Sequence, residues 1–153
     1  MKKRLLSGLL VLCLIFSLLP VSAFADEATA SGTCGDDLTW TLQDGALTIS
    51  GTGDMEDYDW LYAPWYDDND KIESVEIKNG VTSIGYYAFS NCRNLKKLTV
   101  SESVTSIRQS AFEYCSSLES VTIPASVTSI ERNAFNECWS LDKVYYSGTM
   151  EQW

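Results

Sequence analysis

The hydrophobic positions of this chain repeat every 23 residues over its second half. Three copies begin with Val-Thr-Ser-Ile, at residues 81–84, 104–107 and 127–130. The same step taken backwards from the first copy reaches a further set of aliphatic positions, so that a degenerate fourth copy begins near Trp65 and the array holds about three and a half copies. Each copy then carries apolar residues at fixed offsets, which in the middle copy are Ala111, Phe112, Cys115, Leu118, Val121 and Ile123.

Each copy predicts one short strand and a return segment. Val121 and Ile123 share one face of an extended chain while Thr122 points away from it, which is the alternation of a strand with one buried face. Ala111, Phe112 and Cys115 have the spacing of a single helical turn that directs Phe and Cys inward. Units of this length cannot bury their apolar face alone, so the copies are expected to stack into a solenoid.

The segment before the repeats has the alternation of a β-hairpin. Apolar and polar residues alternate on both sides of Asp44-Gly45, a dipeptide typical of tight turns. We expect this hairpin to cover the first coil, whose apolar edge would otherwise be exposed. The apolar positions are Leu38, Trp40 and Leu42 before the turn, and Leu47 and Ile49 after it.

The repeat resembles that of the BspA-like leucine-rich repeat proteins of bacterial surfaces. The unit V-T-S-I-x-x-x-A-F-x-x-C-x-x-L-x-x-V-x-I-P, matched throughout by residues 104–124, is very close to the repeat of that family. The resemblance covers roughly residues 32–153. It implies a leucine-rich-repeat solenoid, mainly β with short helical turns and an N-terminal β-hairpin cap, and a function in adhesion or host-surface recognition.

The first 25 residues are predicted to be a signal peptide. Lys2, Lys3 and Arg4 precede an apolar run, and Ala23-Phe24-Ala25 has the small-x-small form of a signal-peptidase site. We therefore expect a secreted or cell-surface protein with no membrane insertion after cleavage. The predicted division is 1–25 signal peptide, 26–70 hairpin cap with an acidic and aromatic segment, and 71–153 repeats.

Charge and the absence of histidine restrict the possible functions. The chain has 11 basic and 21 acidic residues, a net charge of −10, and residues 1–25 hold three of the basic ones and no acidic one. Such an acidic chain is an implausible partner for nucleic acid. The lack of any histidine excludes Ser-His and Cys-His nucleophiles and histidine metal sites. We predict no enzyme, no catalytic residue, no cofactor and no metal.

Cys92, Cys115 and Cys138 recur with the same 23-residue step and should form a column. Neighbouring coils of about 4.8 Å spacing would bring two thiols within disulfide reach, but a third would be left over. Zinc prefers four ligands in a tetrahedron, which a straight column of three does not offer. A buried ladder of packed thiols is the favoured interpretation, since free cysteine is a common small core residue.

The outward positions of the predicted strands are the candidate ligand-binding residues, because they vary beside a nearly unvarying core. A second outward row of Thr-Ser pairs, beginning with Thr82 and Ser83, does not vary and is expected to serve strand edges and turns. The candidate binding residues are Glu76, Lys97, Thr99, Thr122, Lys143 and Tyr145.

An alternative site lies in the acidic and aromatic segment. Trp60, Trp65 and Tyr66 beside several aspartates are typical of carbohydrate-binding surfaces. A calcium site is a further alternative, although Asp67-Asp68-Asn69-Asp70 lacks the usual loop spacing. The favoured interpretation is that these aromatic side chains pack on the first coil while the acids stay solvated.

The predicted function is therefore that of an exported leucine-rich-repeat binding protein whose partner is an extracellular protein or glycan, in recognition or adhesion at the bacterial surface. The alternatives are a carbohydrate-binding module and a structural fragment of a larger surface protein.

Overall fold

The computed structural model describes residues 30–60, 62–149 and 151. The predicted signal peptide lies outside these residues. Within the described ranges, no helix combines the length and hydropathy that a membrane span requires.

The chain begins with an antiparallel cap of three strands. Strands β1 (Ala30–Gly35), β2 (Asp37–Gln43) and β3 (Ala46–Asp54) pair in sequence order. The hairpin of β2 and β3 is the predicted one, and both residues of its turn, Asp44 and Gly45, have positive φ as a tight hairpin turn requires. Strand β1 was not predicted.

Two rows of parallel strands extend from the cap. Strand β3 pairs with both β4 and β5, so this single strand starts both rows. In the front row, ladder pairs join β4 to β6 and β8 to β10, whereas β6 and β8 lie side by side without a ladder among the described residues. The front row comprises β4 (Ser74–Ile77), β6 (Lys97–Val100), β8 (Ser120–Ile123) and β10 (Lys143–Tyr146); the back row comprises β5 (Val81–Ile84), β7 (Ser106–Ile107) and β9 (Ser129–Ile130).

The return segments are runs of tight turns, and the single helical turn predicted around Phe112 is not a regular helix. The amides of Glu113 and Cys115 donate to carbonyls three residues earlier, those of Ser110 and Phe112, at 3.2 and 3.3 Å. Ser110 and Tyr114 have left-handed φ values, which a right-handed helix does not accommodate. The same two positions are left-handed in the neighbouring coils, at Tyr87, Asn91, Asn133 and Glu137. The one helix in the described ranges is a 3-10 helix, Tyr66–Lys71, which leads into β4.

A stack of aromatic rings runs along the core. Trp65, Phe89, Phe112 and Phe135 follow one another with centroid separations of 5.3, 5.2 and 5.2 Å and nearly parallel planes. Offset stacking at this distance adds to the free energy of burying the rings. The stack therefore connects the cap region to the last coil through an unbroken series of ring contacts.

The cysteine column is a ladder of buried free thiols, as the repeat predicted. Cys115 Sγ donates to the carbonyl oxygen of Phe89 at 3.2 Å, and Cys138 Sγ donates to that of Phe112 at 3.1 Å. Burial raises the pKa of the Cys92 thiol to about 12. All three thiols fill space in the core, and the raised pKa of Cys92 makes that thiol poorly suited to act as a nucleophile.

Candidate functional site

The outward side chains of the front row form one continuous exposed surface, which we call the front face. Parallel registers place Lys97 beside Ser74 and Thr99 beside Glu76. On the last two strands, Tyr145 lies beside Thr122 in the same way. On β4 and β8, the buried residues Val75 and Val121 between them fix which side of the strand faces solvent. All six predicted binding residues are exposed on this face.

The front face has two shallow depressions, one towards each end. One, of about 320 Å³, is lined by Glu76, Lys97 and Thr99 together with residues of β3 and β4. The other, of about 500 Å³, is lined by Lys143 and Tyr145 together with residues around β8 and β10. Five of the six predicted residues thus border a concavity, and Thr122 lies between the two.

The charges of the front face are mostly paired with one another. Glu76 accepts a hydrogen bond from Lys78 at 2.6 Å, and Glu73 lies 3.1 Å from Lys96. Lys97 differs, because no carboxylate of the described residues comes within ion-pair distance of its ammonium group. Exposed pairs contribute little to stability, so these side chains are free to reorganise around a partner.

The Thr-Ser row belongs to the scaffold, in agreement with the prediction that it serves strand edges. Its residues lie in or directly before the back-row strands, and two of its threonine hydroxyl groups bond to the preceding coil. Thr105 Oγ1 donates to the carbonyl of Thr82 at 3.1 Å, and Thr128 Oγ1 donates to that of Thr105 at 3.3 Å. At the cap, Thr82 Oγ1 donates to Asp54 Oδ1 at 2.6 Å, and this hydrogen bond lowers the pKa of the Asp54 carboxyl group.

The alternative glycan site of Trp60, Trp65 and Tyr66 does not exist as predicted, because its three members do not share a surface. Trp65 is 1% exposed, donates its Nε1 hydrogen to the Ala88 carbonyl at 2.8 Å and packs on Phe89. A ring enclosed in the core cannot stack on a sugar from solution. Tyr66 is half-buried at the start of the 3-10 helix.

The favoured interpretation of this segment is confirmed for Trp65 and wrong for Trp60. Trp65 packs edge-on against Trp40 and stacks on Phe89, so it does join the cap to the first coil. Trp60, in contrast, is 53% exposed. The segment 57–60 has no regular alternation of apolar residues, so nothing in its pattern indicates which of its aromatic side chains turns inward.

Sequence reasoning missed a contact between the cap and the second coil. Arg108 pairs with Asp57, a residue 51 positions earlier, at 2.7 Å, and with Asp54 at 3.5 Å. The 23-residue period gives no signal for this contact, because both acids precede the repeats. Only the fold brings these groups together.

Comparison with known proteins gives one family and several structures. The family described as a BspA type leucine rich repeat region of six copies matches residues 64–153. Its match begins one residue before Trp65, near which the sequence predicted that the degenerate fourth copy begins. No curated protein matches this chain.

Among solved structures, a leucine-rich repeat protein from Eubacterium ventriosum ATCC 27560 is 29% identical with a TM-score of 0.58; the alignment covers 79% of this chain and 45% of that protein. A leucine rich cell surface protein from Faecalibacterium prausnitzii A2-165 is 25% identical with a TM-score of 0.50, covering 83% and 41%. A leucine-rich repeat protein from Bacteroides capillosus ATCC 29799, 24% identical with a TM-score of 0.55, covers 80% of this chain, is itself covered completely and shares the fold. The chain spans less than half the length of the first two.

Proposed function

Because the chain belongs to the BspA-type leucine-rich repeat family, we propose that it is an exported binding protein, secreted or held at the bacterial surface, whose front face recognises an extracellular protein in adhesion. The signal-like pattern of residues 1–25 supports export. One structural relative is itself described as a cell surface protein.

The observation that carries this proposal is the parallel register of the front row. Each strand presents side chains at fixed positions on a scaffold whose core positions hardly change between coils. Repeat proteins use such extended faces for binding, because outward residues can vary without disturbing the stack. The two depressions at either end of the face offer separate anchor points for one partner.

Binding rather than catalysis is the function that the side-chain chemistry favours. The chain contains no histidine, and its repeated thiols are buried, those of Cys115 and Cys138 donating to backbone carbonyl groups. Within the described ranges, no three metal-ligating side chains come together. The front face carries short hydroxyl side chains, paired ions and one large aromatic residue, which is the composition of a recognition surface.

The experiment is a binding screen of the purified protein against an array of extracellular-matrix proteins at physiological salt, followed by variants. Tyr145→Ala removes the large aromatic side chain of the front face, and Lys97→Ala removes its unpaired positive charge. Each should weaken a genuine hit about tenfold, as expected for residues that anchor a binding surface. Tyr62→Ala is the control, because it removes an exposed tyrosine that lies in the cap and outside the front face.

A protein hit that both front-face variants weaken, and that Tyr62→Ala leaves unchanged, would support the proposal. A hit that neither front-face variant alters would place the binding surface elsewhere. The absence of any protein hit would refute the proposal and favour the structural-fragment alternative.

A further inference from the structure

Three residues with exposed aromatic side chains lie near the junction of the cap and the first coil. Trp60 and Tyr62 are 53% and 73% exposed, and Tyr86 is 38% exposed. The amide of Tyr58 donates to the carbonyl of Tyr86 at 3.0 Å, and the amide of Tyr62 donates to that of Asp59 at 3.0 Å. Tyr58, two residues before Trp60, therefore lies directly beside Tyr86.

Tyr86 is held in place from two sides. Its amide donates to Asp57 Oδ1 at 3.0 Å, and the Arg108 guanidinium lies over its ring, 5.8 Å from the centroid. Asp57 Oδ2 in turn accepts from Arg108 at 2.7 Å, and this pairing raises the pKa of the guanidinium. An aromatic ring fixed in this way loses little conformational freedom on binding, which is the basis of preorganised recognition.

We infer that this surface, formed by Trp60, Tyr62, Tyr86, Arg108, Asp54 and Asp57 and here called the aromatic-arginine surface, binds uncharged pyranose rings of a glycan. The exposed rings of Trp60 and Tyr62 can pack against the apolar C–H faces of pyranose rings, and so can the face of Tyr86 that Arg108 does not cover. The oxygens of Asp54 and Asp57 already accept hydrogen bonds within the protein, but each carboxylate has about four acceptor positions and can also accept from sugar hydroxyl groups. Charged acceptors make the stronger bonds.

Local charge restricts the glycan to neutral sugars. Arg108 is the positive group of the surface, and both of its partners are carboxylates. Glu56 and Asp59 are exposed beside them, so acids outnumber the single cation. A sulfated or sialylated glycan would be repelled by this excess, whereas a neutral sugar experiences no such repulsion.

The same acids make a protein partner the less suitable occupant. Trp, Tyr and Arg are also the residues of protein-binding hot spots. A protein interface would withdraw Asp54, Asp57 and Asp59 from water together, and burying carboxylates without matching cations is costly. Sugar hydroxyl groups instead replace the water molecules around each carboxylate.

The test is isothermal titration of the purified protein with four neutral hexasaccharides, which are cellohexaose, laminarihexaose, maltohexaose and hexa-N-acetylchitohexaose, and with a heparin hexasaccharide. We expect saturable binding of at least one neutral sugar. Trp60→Ala and Tyr86→Ala should each weaken sugar binding about tenfold, because each variant removes one aromatic ring that stacks on a sugar.

Trp139→Ala is the matched control, because Trp139 is 79% exposed and lies in the last coil, away from the cap. Trp60→Ala alters an exposed side chain and should retain the far-ultraviolet circular dichroism of the parent protein, which separates loss of binding from loss of folding. Tyr145→Ala, the front-face variant, should bind the sugar as well as the parent protein does.

Three outcomes would overturn the inference: no binding of any neutral sugar, binding that Trp60→Ala and Tyr86→Ala leave unchanged, or binding of the heparin fragment alone. Binding of a protein that Trp60→Ala abolishes would assign the surface to a protein partner and overturn it equally. Because these variants lie outside the front face, either proposal can fail without the other.

Discussion

The aromatic stack of the core makes a quantitative prediction for Phe112. This ring is 0% exposed and stacks on Phe89 and Phe135, each at 5.2 Å. Phe112→Ala leaves a cavity in a closed coil and removes two ring contacts, so the free energy of unfolding should fall by about 4 kcal/mol. With a urea dependence of roughly 2 kcal/mol per molar, the midpoint of urea unfolding should fall by about 2 M.

Phe135, at the end of the stack, provides the control for the predicted loss of stability. Phe135 stacks on one side and is only partly buried, so Phe135→Ala should cost about 2 kcal/mol. Phe112→Leu keeps most of the buried volume and loses both ring contacts, which predicts a loss of about 1–3 kcal/mol. Urea titrations followed by circular dichroism would compare the three variants. Equal losses for Phe112→Ala and Phe135→Ala would refute the idea that double-sided stacking sets the cost.

Three further predictions concern single groups. Trp65→Phe keeps the stack but leaves the Ala88 carbonyl without its donor, so urea unfolding should show a loss of about 1–3 kcal/mol; no change would show that this hydrogen bond adds nothing. In Gly85→Ala, the new Cβ would collide with the Glu56 carbonyl oxygen, so thermal unfolding should occur at least several degrees lower, and an unchanged midpoint would disprove the close approach. Burial raises the pKa of Cys92 from 9.0 to about 12, so its contribution to stability is complete below pH 9 and is lost towards pH 12. Urea midpoints measured from pH 8 to 11 should therefore fall less steeply in Cys92→Ala than in the parent protein, and parallel curves would contradict the shift.

The periodic part of the fold was predictable because each coil repeats the same physical constraints. The alternation of Val121, Thr122 and Ile123 identifies a strand with one buried face, and the structure has β8 there. The hairpin followed from a similar alternation around Asp44-Gly45. In both cases a short-range pattern determines the local structure, so no knowledge of distant contacts was needed.

Other features depend on contacts that no local pattern encodes. The Val-Thr-Ser-Ile segments form a second row of strands only because β3 offers a second pairing partner beyond its bulge, at Gly53 and Asp54. The turns around Phe112 differ from a helix because Ser110 and Tyr114 adopt left-handed conformations, which is unusual for residues other than glycine. The aromatic-arginine surface depends on the pairing of Asp57 with Arg108, 51 residues later, and the 23-residue period does not predict such a pair.

The constant spacing of the contacts between coils has a consequence for how the chain folds. Hydrogen bonds such as those of Thr105, Cys115 and Thr128 join residues 23 to 26 positions apart, and this separation does not grow along the stack. Relative contact order, which is the mean sequence separation of contacts divided by chain length, therefore decreases as coils are added. Folding a long array requires loops of the same length as folding a short one. Because β3 of the cap starts both rows, we expect folding to nucleate at the cap. Each further coil would then add to the one before it, so the array could change in length with the same order of folding.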